Sequence, residues 1–190
     1  QVAQVEIDKD ANSVRRRRFP QEIHYTDVRE FDARRFAGSV DVVAGGFPCQ
    51  DYSVAGGRTG LAGDRGALWW EFHRVVRESR PRFVVGENVP GLLSSGGGEC
   101  FETIVSSLVE LGYRVAWRVL DLRYFRVPQR RRRVFLVGSL GDGSCAEILF
   151  EPESLPGDFE AGGETGEGVA SASEEVLGSR CFQSVAATLA

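Results

Sequence analysis

The most constraining feature of this sequence is the nine-residue stretch Gly45–Ser53 (GGFPCQDYS), which follows the short apolar run Val40–Ala44. The run is typical of a buried strand, and we expect the two glycines to end it. In an open α/β sheet, ligands bind just beyond the carboxyl ends of the strands. The sequence therefore predicts that Cys49 lies at the rim of a crevice, with Pro48 fixing the backbone beside it. A lone cysteine is more commonly a buried structural residue.

Two further segments border predicted strands in a similar way. Gly86–Pro90 (GENVP) follows the apolar run Phe83–Val85, and Pro128–Arg133 (PQRRRR) precedes Val134–Gly138. Together with the cysteine loop, these segments resemble, in order and spacing, three motifs of the cytosine-5 DNA methyltransferase family: Pro-Cys-Gln, Glu-Asn-Val and Gln-x-Arg-x-Arg. The resemblance extends from about Val2 to Gly138.

The resemblance implies an α/β fold, namely the Rossmann-like sheet of class I methyltransferases with helices on both faces. We expect this sheet to be incomplete, because the family begins with a strand and a Phe-x-Gly-x-Gly turn that the chain lacks. Residues 1–140 are expected to form part of the catalytic core. Residues 141–190, rich in Gly, Ser and Glu, are expected to be an acidic linker or the start of the target-recognition region. The chain alone should therefore bind cofactor poorly and be nearly inactive.

Hydrophobic periodicity predicts an alternation of strands and helices. The last two strands are expected to form an antiparallel edge, and residues 151–178 to be disordered or an excursion loop. Strands are predicted at 2–7, 22–27, 40–44, 83–86, 113–122 and 134–140, and helices at about 8–18, 67–79 and 102–111.

The net charge of −4 hides an asymmetry along the chain. Up to Leu140 there are 22 basic and 17 acidic residues, a balance of +5, whereas the remainder has 1 basic and 10 acidic residues, a balance of −9. The first part can face a polyanion and the tail would be repelled by one. Only Lys9 among the basic residues is lysine, and a compositional bias of the gene explains this, so the arginine content alone is weak evidence for nucleic-acid binding.

Several classes of site and location are disfavoured. The four cysteines include no C-x-x-C pair and only two histidines are present, so we expect no metal site. The sequence shows no secretory segment, which favours a reducing compartment and free thiols. No apolar run of 18 residues occurs, so no membrane span is expected. Together with the resemblance, the lack of a predicted membrane span indicates a cytoplasmic, nucleoid-associated protein of bacterial or phage type. We expect it to be a monomer.

The resemblance assigns the chemistry to three residues. Cys49 would add as a thiolate to C6 of a flipped-out cytosine, which makes C5 nucleophilic. Glu87 would be held protonated or would share a proton with N3. Arg131 would contact O2 and Glu87, and either Arg131 or Arg133 would favour ionisation of the thiol.

Further residues would bind the two substrates. Acids that end strands suit ribose or amine recognition in such a sheet, and the resemblance places Glu6 on the ribose of S-adenosylmethionine and Asp27 on the adenine amino group. Asn88 is expected to orient either the loop or the base, and Gln129 and Arg133 to serve mainly as scaffolding. The predicted cofactor-binding residues are Glu6, Ile7, Asp27, Val28, Phe47 and Pro48, and the predicted substrate-binding residues are Gln50, Ser53, Asn88 and Arg133.

The resulting hypothesis is a DNA (cytosine-5-)-methyltransferase that uses S-adenosylmethionine and double-stranded DNA, in a restriction-modification or orphan role. One alternative is a tRNA cytosine-5 methyltransferase of the same fold. Another is a non-catalytic methyltransferase-like partner module. The joint presence of Cys49, Glu87 and Arg131 argues against the last, because an idle domain has no chemical need for all three.

Overall fold

The computed structural model describes residues 3–47, 67–126, 128–141 and 145–150 together with the short strand Thr188–Leu189. These residues form a mixed α/β structure. Its strands are β1 (Ala3–Val5), β2 (Ile23–Tyr25), β3 (Val42–Gly46), β4 (Phe83–Asn88), β5 (Tyr113–Asp121), β6 (Arg132–Leu140) and β7 (Thr188–Leu189). Its helices are α1 (Lys9–Arg18), α2 (Ala67–Ser79), α3 (Glu99–Glu110) and α4 (Cys145–Phe150).

The described strands form one sheet in the order β2-β1-β7-β3-β4-β6-β5. The pairs β1–β2 and β3–β4 are parallel, and β7 lies between β1 and β3, parallel to both. Strand β6 is antiparallel to β4 and to the edge strand β5, which confirms the predicted antiparallel edge. The start of β6 therefore lies at the same edge of the sheet as the carboxyl ends of β3 and β4.

Both faces of the sheet centre are covered. Val42 and Val43 are consecutive in β3 and both are buried, as are Phe83 and Val84 in β4. Because successive side chains of a strand point to opposite faces, burial of neighbours requires packing on each side. The predicted α/β architecture, a sheet covered on both faces, is confirmed.

The two glycines after Ala44 do not end the strand, contrary to our expectation. Strand β3 continues through Gly46, which pairs with Glu87 of β4. A Cβ atom at Gly46 would lie 3.3 Å from Glu87 Oε2, which is tighter than an ordinary van der Waals contact. The glycine thus serves the close approach of a neighbouring carboxylate.

Two helices follow the sequence pattern closely. Helix α1 begins after Asp8, whose Oδ1 accepts a hydrogen bond from the Ala11 amide at 2.7 Å. Helix α2 has the predicted bounds. Helix α3 begins at Glu99, three residues before the predicted start, because the left-handed Gly98 (φ 102°) turns the chain into it and Phe101 is buried in its first turn.

Helix α4 packs on the edge strand β5. The Arg118 guanidinium donates a hydrogen bond to the Leu149 carbonyl at 2.7 Å and lies 5.4 Å from the centroid of the Phe150 ring.

None of the helices in the described ranges has the length and apolar character needed to cross a bilayer. The same ranges hold no cluster of three or more potential metal-ligating side chains.

Candidate active site

Glu87 lies at the carboxyl end of β4, where two arginines from the start of β6 approach it. Arg133 Nε is 2.6 Å from Glu87 Oε1, and Arg131 Nη2 is 3.8 Å from the same oxygen. The antiparallel pairing of β4 with β6 produces this contact, because it sets residue 87 opposite residue 135. Arg131 therefore approaches Glu87 as predicted, but Arg133, which we expected to be mainly scaffolding, lies nearer to it.

The two carboxylate oxygens of Glu87 face different neighbours. Oε1 is the oxygen closest to both arginines, whereas Oε2 lies over the backbone of Gly46 in β3. Strand β3 leads directly into Phe47, after which the sequence continues with Pro48 and Cys49. One oxygen is thus held by positive charge and the other is directed toward the strand that precedes the predicted nucleophile.

Asn88 joins the ends of β3 and β4. Its buried side-chain amide donates a hydrogen bond to the Phe47 carbonyl at 2.9 Å, and its Oδ1 accepts one from the Val89 amide at 2.8 Å. A buried amide with partners on both its oxygen and its nitrogen is fixed in orientation. Of the two roles predicted for Asn88, these contacts favour orienting the loop.

The Phe47 ring anchors the end of β3 in the core. It packs edge-on against Trp69 at a centroid distance of 4.9 Å and lies 6.2 Å from the Phe72 ring, both on α2. Gly86 leaves room for it, since a Cβ there would be 3.4 Å from Phe47 Cε1. The Phe47 ring is buried among α2 residues, and its predicted contact with the cofactor stays a prediction.

The predicted ribose-binding residue Glu6 and its neighbour Ile7 lie beyond the end of β1. Glu6 is buried, and its Oε1 accepts a hydrogen bond from the Asp8 amide at 2.9 Å. The side-chain amide of Asn12 donates to the Glu6 carbonyl, which fixes the backbone there. Ile7 is 65% exposed, although it is a large apolar residue. An oriented carboxylate beside an uncovered apolar side chain fits a ribose and an adjoining planar base.

Asp27 and Val28 follow β2 at the same edge. Asp27 caps the 3₁₀ turn Val28–Glu30, and its Oδ1 accepts hydrogen bonds from the Arg29 amide at 2.9 Å and from Arg29 Nε at 3.2 Å. Val28 is half-buried. These bonds fix the orientation of the Asp27 carboxylate, and its contact with the adenine amino group stays a prediction.

A residue that the sequence did not single out, Arg74 of α2, holds this segment in place. Its guanidinium donates to the carbonyls of Val28 at 2.7 Å and Phe31 at 2.9 Å. It also forms ion pairs with Glu71 at 2.8 Å and Glu78 at 2.9 Å on its own helix. The i,i+3 and i,i+4 spacing of these acids was the available signal, but such pairs are common on exposed helix faces.

His73 is partly exposed on α2. Its Nε2 lies 3.2 Å from the Ser107 carbonyl of α3, so this nitrogen carries the proton and donates. Burial lowers the pKa of His73 below its ordinary value. The contact joins α2 to α3, which is a structural role.

Several predicted site residues are not covered by this description. Pro48, Cys49, Gln50 and Ser53 lie outside the described residues. Their assignments remain predictions.

Comparison with known proteins identifies the family. The model of the C-5 cytosine-specific DNA methylase family matches residues 1–161. The chain belongs to this family. Among its curated relatives, the type II methyltransferase M.Eco47II of Escherichia coli is 39% identical over 139 residues, which cover 72% of this chain and 33% of the relative. The type II methyltransferase M.Sau3AI of Staphylococcus aureus is 41% identical over 143 residues, which cover 71% of this chain and 35% of the relative.

A solved structure supports the same fold. The Dnmt2 methyltransferase of S. pombe has a TM-score of 0.62 with this methylase chain at 19% identity, covering 83% of this chain and 49% of that one. The chain spans about a third of the length of the curated relatives given above. The similarity to the Dnmt2 structure confirms the class I methyltransferase fold that we predicted from the sequence.

Proposed function

We propose that this chain carries the base-binding half of a DNA cytosine-5 methyltransferase that acts on double-stranded DNA. The observation that carries the proposal is the position of Glu87. Its Oε1 is held by Arg133 and Arg131, while its Oε2 faces Gly46, on the strand that leads to Cys49. In a chain of the C5 methylase family, this geometry supports a pocket for a cytosine between a carboxyl group and a thiol.

In the proposed reaction, Cys49 attacks C6 of the cytosine. The sulfur electron pair forms the S–C6 bond, and the C5–C6 π electrons make C5 nucleophilic. This electron pair forms the bond from C5 to the incoming methyl group. When a base then removes the C5 proton, the C5–H bonding pair re-forms the C5–C6 double bond, and the S–C6 pair returns to sulfur as the thiolate leaves. A stacked base cannot offer C6 to the sulfur, so the cytosine is flipped out of the duplex at a cost of a few kcal/mol.

Glu87 and its arginines would stabilise the charge that this addition places on the ring. Thiolate addition moves electron density toward N3 and O2, so a proton shared between Glu87 and N3 offsets it. Arg133 and Arg131 keep the carboxyl group at the position where this proton is needed. Arg131, the more exposed of the two, is the candidate for contact with O2.

Asn88 would act as a positioning residue for the nucleophile loop. Its hydrogen bond to the Phe47 carbonyl fixes the last described residue before Pro48. Because the Phe47 ring is also locked against α2, the start of the loop is held from both its backbone and its side chain. Such support reduces the reorganisation needed before the thiolate attacks.

S-adenosylmethionine, when bound, supplies the methyl group that C5 accepts. Glu6 and Asp27 would hold its polar groups, and Ile7 and Val28 would pack on its adenine. The exposed Ile7 beside the oriented Glu6 carboxylate supports this assignment. A protein with this substrate works wherever the cell keeps its DNA, consistent with the nucleoid location that we expected.

The test measures transfer of a radiolabelled methyl group from S-adenosylmethionine by the longest product of the gene that encodes this chain. Duplex DNA of mixed sequence and a tRNA pool are compared as acceptors. We expect label at C5 of cytosine in the duplex, and loss of at least 100-fold in rate for Glu87→Gln, in line with removal of a charge-stabilising group. Labelling of tRNA alone would overturn DNA as the substrate, and no labelling of either would support a non-catalytic module.

A further inference from the structure

The connection between β5 and β6 is strongly basic. Residues 122–132 contain five arginines and no acidic residue, in a protein whose net charge is −4. Within the described part of this connection, every residue from Arg123 to Arg132 is exposed. The exposed side chains include Tyr124, at 56%, and Phe125, at 42%. Exposed aromatic side chains among arginines are typical of nucleic-acid contact surfaces.

Three of these arginines already have acidic neighbours. Arg123 forms an ion pair with Asp121 at 2.8 Å, and Arg131 approaches Glu87. Arg132 is the cross-strand partner of Asp121 and helps to lower the pKa of that carboxyl group, although Arg123 has the larger effect. The positive charge of these residues is partly offset inside the fold.

Arg126 and Arg130 differ from the other three. Within residues 3–47, 67–126, 128–141 and 145–150, neither has a carboxylate within ion-pair distance. Two exposed guanidinium groups on one short connection are therefore available to an external anion.

Arg126 also has an unfavourable backbone conformation. Its φ of 58° and ψ of 23° lie in the left-handed region, where it ends the 3₁₀ turn Leu122–Phe125. Glycine would end this turn with less strain, since an L-residue with a Cβ is disfavoured there. A contact between the Arg126 side chain and a ligand would explain why an arginine occupies this strained position.

The connection begins next to the candidate active site. The Leu122 amide donates a hydrogen bond to the Arg131 carbonyl at 3.0 Å, which ties the two ends of the connection together. Arg131 is also the residue that approaches Glu87. A cytosine held at Glu87 would therefore bring the phosphates on either side of it toward this connection.

We propose that Arg126 and Arg130 contact backbone phosphates of the duplex that flank the flipped cytosine. This surface, the β5–β6 basic surface, comprises Arg126 and Arg130 together with the aromatic residues Tyr124 and Phe125. The inference rests on the proposed function, because it takes DNA as the substrate. Arginine forms bidentate hydrogen bonds with phosphate oxygens, and such contacts set affinity and register without reading sequence.

The test is the salt dependence of duplex binding by the longest product of the gene, compared with an R126Q/R130Q variant. Each phosphate contact contributes about 0.9 to the slope of log K against log salt, so losing two lowers the slope by about 1.8. Between 50 and 200 mM salt, the wild type should then lose about 12-fold more affinity than the variant. The matched control is R17Q/R18Q, which removes the same charge from the last turn of α1, at the opposite edge of the sheet.

A second variant, Arg126→Gly, separates function from folding. Glycine relaxes the left-handed residue, so the variant should unfold at a higher urea concentration than the wild type while binding the duplex more weakly. Equal salt slopes for wild type and R126Q/R130Q, or equal losses in the R17Q/R18Q control, would overturn this inference and leave the proposed function standing. If the wild type itself showed no salt-dependent binding to duplex DNA, the proposed substrate would be wrong.

Discussion

Replacing Arg74 with methionine should destabilise the fold strongly, because its guanidinium bridges α2 to the segment that follows β2. The Arg74 side chain is 22% exposed and donates to two backbone carbonyls, those of Val28 and Phe31. Methionine fills similar space but donates nothing, so both carbonyls and Glu71 lose this partner, and Glu78 keeps the Ala33 amide as a partner. Allowing about 1–2 kcal/mol for each lost charge-assisted bond to a carbonyl, at the lower end because the group is partly solvated, gives about 2–4 kcal/mol.

The assay is urea denaturation of this chain, followed by tryptophan fluorescence. Arg77→Met is the matched control, since Arg77 is an exposed residue on the same helix and loses the same charge. We expect the control to stay within about 0.5 kcal/mol of the wild type. Arg74→Lys should lie between, because lysine keeps the charge but not the planar fork. Equal destabilisation by Arg74→Met and Arg77→Met would refute the assigned role.

Three further predictions concern single positions. Gly46→Ala should lower the rate of methyl transfer by the longest gene product at least tenfold while changing stability little, because the new Cβ displaces the carboxylate of Glu87. An unchanged rate would show that the reaction does not need this position of the carboxylate. Because the pKa of His73 is lowered in the folded chain, the unfolded chain binds more protons than the folded chain below about pH 6.5, and stability should fall there. Urea titrations should show this fall in the wild type and not in His73→Gln, and ring-proton NMR should report the lowered pKa. Tyr113→Phe should lower the free energy of unfolding by about 1–2 kcal/mol, since the buried hydroxyl donates a 2.6 Å hydrogen bond to the Pro81 carbonyl. Burial also raises the pKa of Tyr113, so above pH 10 the unfolded chain releases this proton while the folded chain keeps it. The stability of the wild type should therefore fall above pH 10, which urea denaturation curves across this range would check.

Local patterns were sufficient to predict most of the framework. The apolar spacing of α2 and the proline after it set its bounds, and the apolar run before Glu87 set the carboxyl at a strand end. The alternation in β5 and the apolar run of β6 predicted the antiparallel edge. These features depend on residues close in sequence, where hydrophobic periodicity is informative.

Contacts between distant segments were not predictable in the same way. Arg131 and Arg133 are two residues apart and precede or begin the same strand, so the sequence could not say which lies nearer to Glu87; the register of β4 with β6 decides it. Arg74 is one arginine among many, and its bonds to carbonyls more than 40 positions away arise only when α2 docks. From the sequence alone, Gly46 is predicted to end the strand, and its role becomes clear only from its pairing with Glu87 of β4.

The central claim, that Cys49 bonds covalently to a cytosine supported by Glu87, is tested most directly by trapping. The longest gene product is incubated with S-adenosylmethionine and a duplex of mixed sequence in which 5-fluorocytosine replaces cytosine. Fluorine at C5 prevents the final elimination, so the thioether persists through denaturation and the linked peptide can be identified by mass spectrometry. We predict an adduct at Cys49 in the wild type and in the control Cys181→Ser, and none in Cys49→Ser. An adduct at another residue, undiminished trapping in Cys49→Ser, or no trapping by a protein that methylates the unmodified duplex would contradict the account.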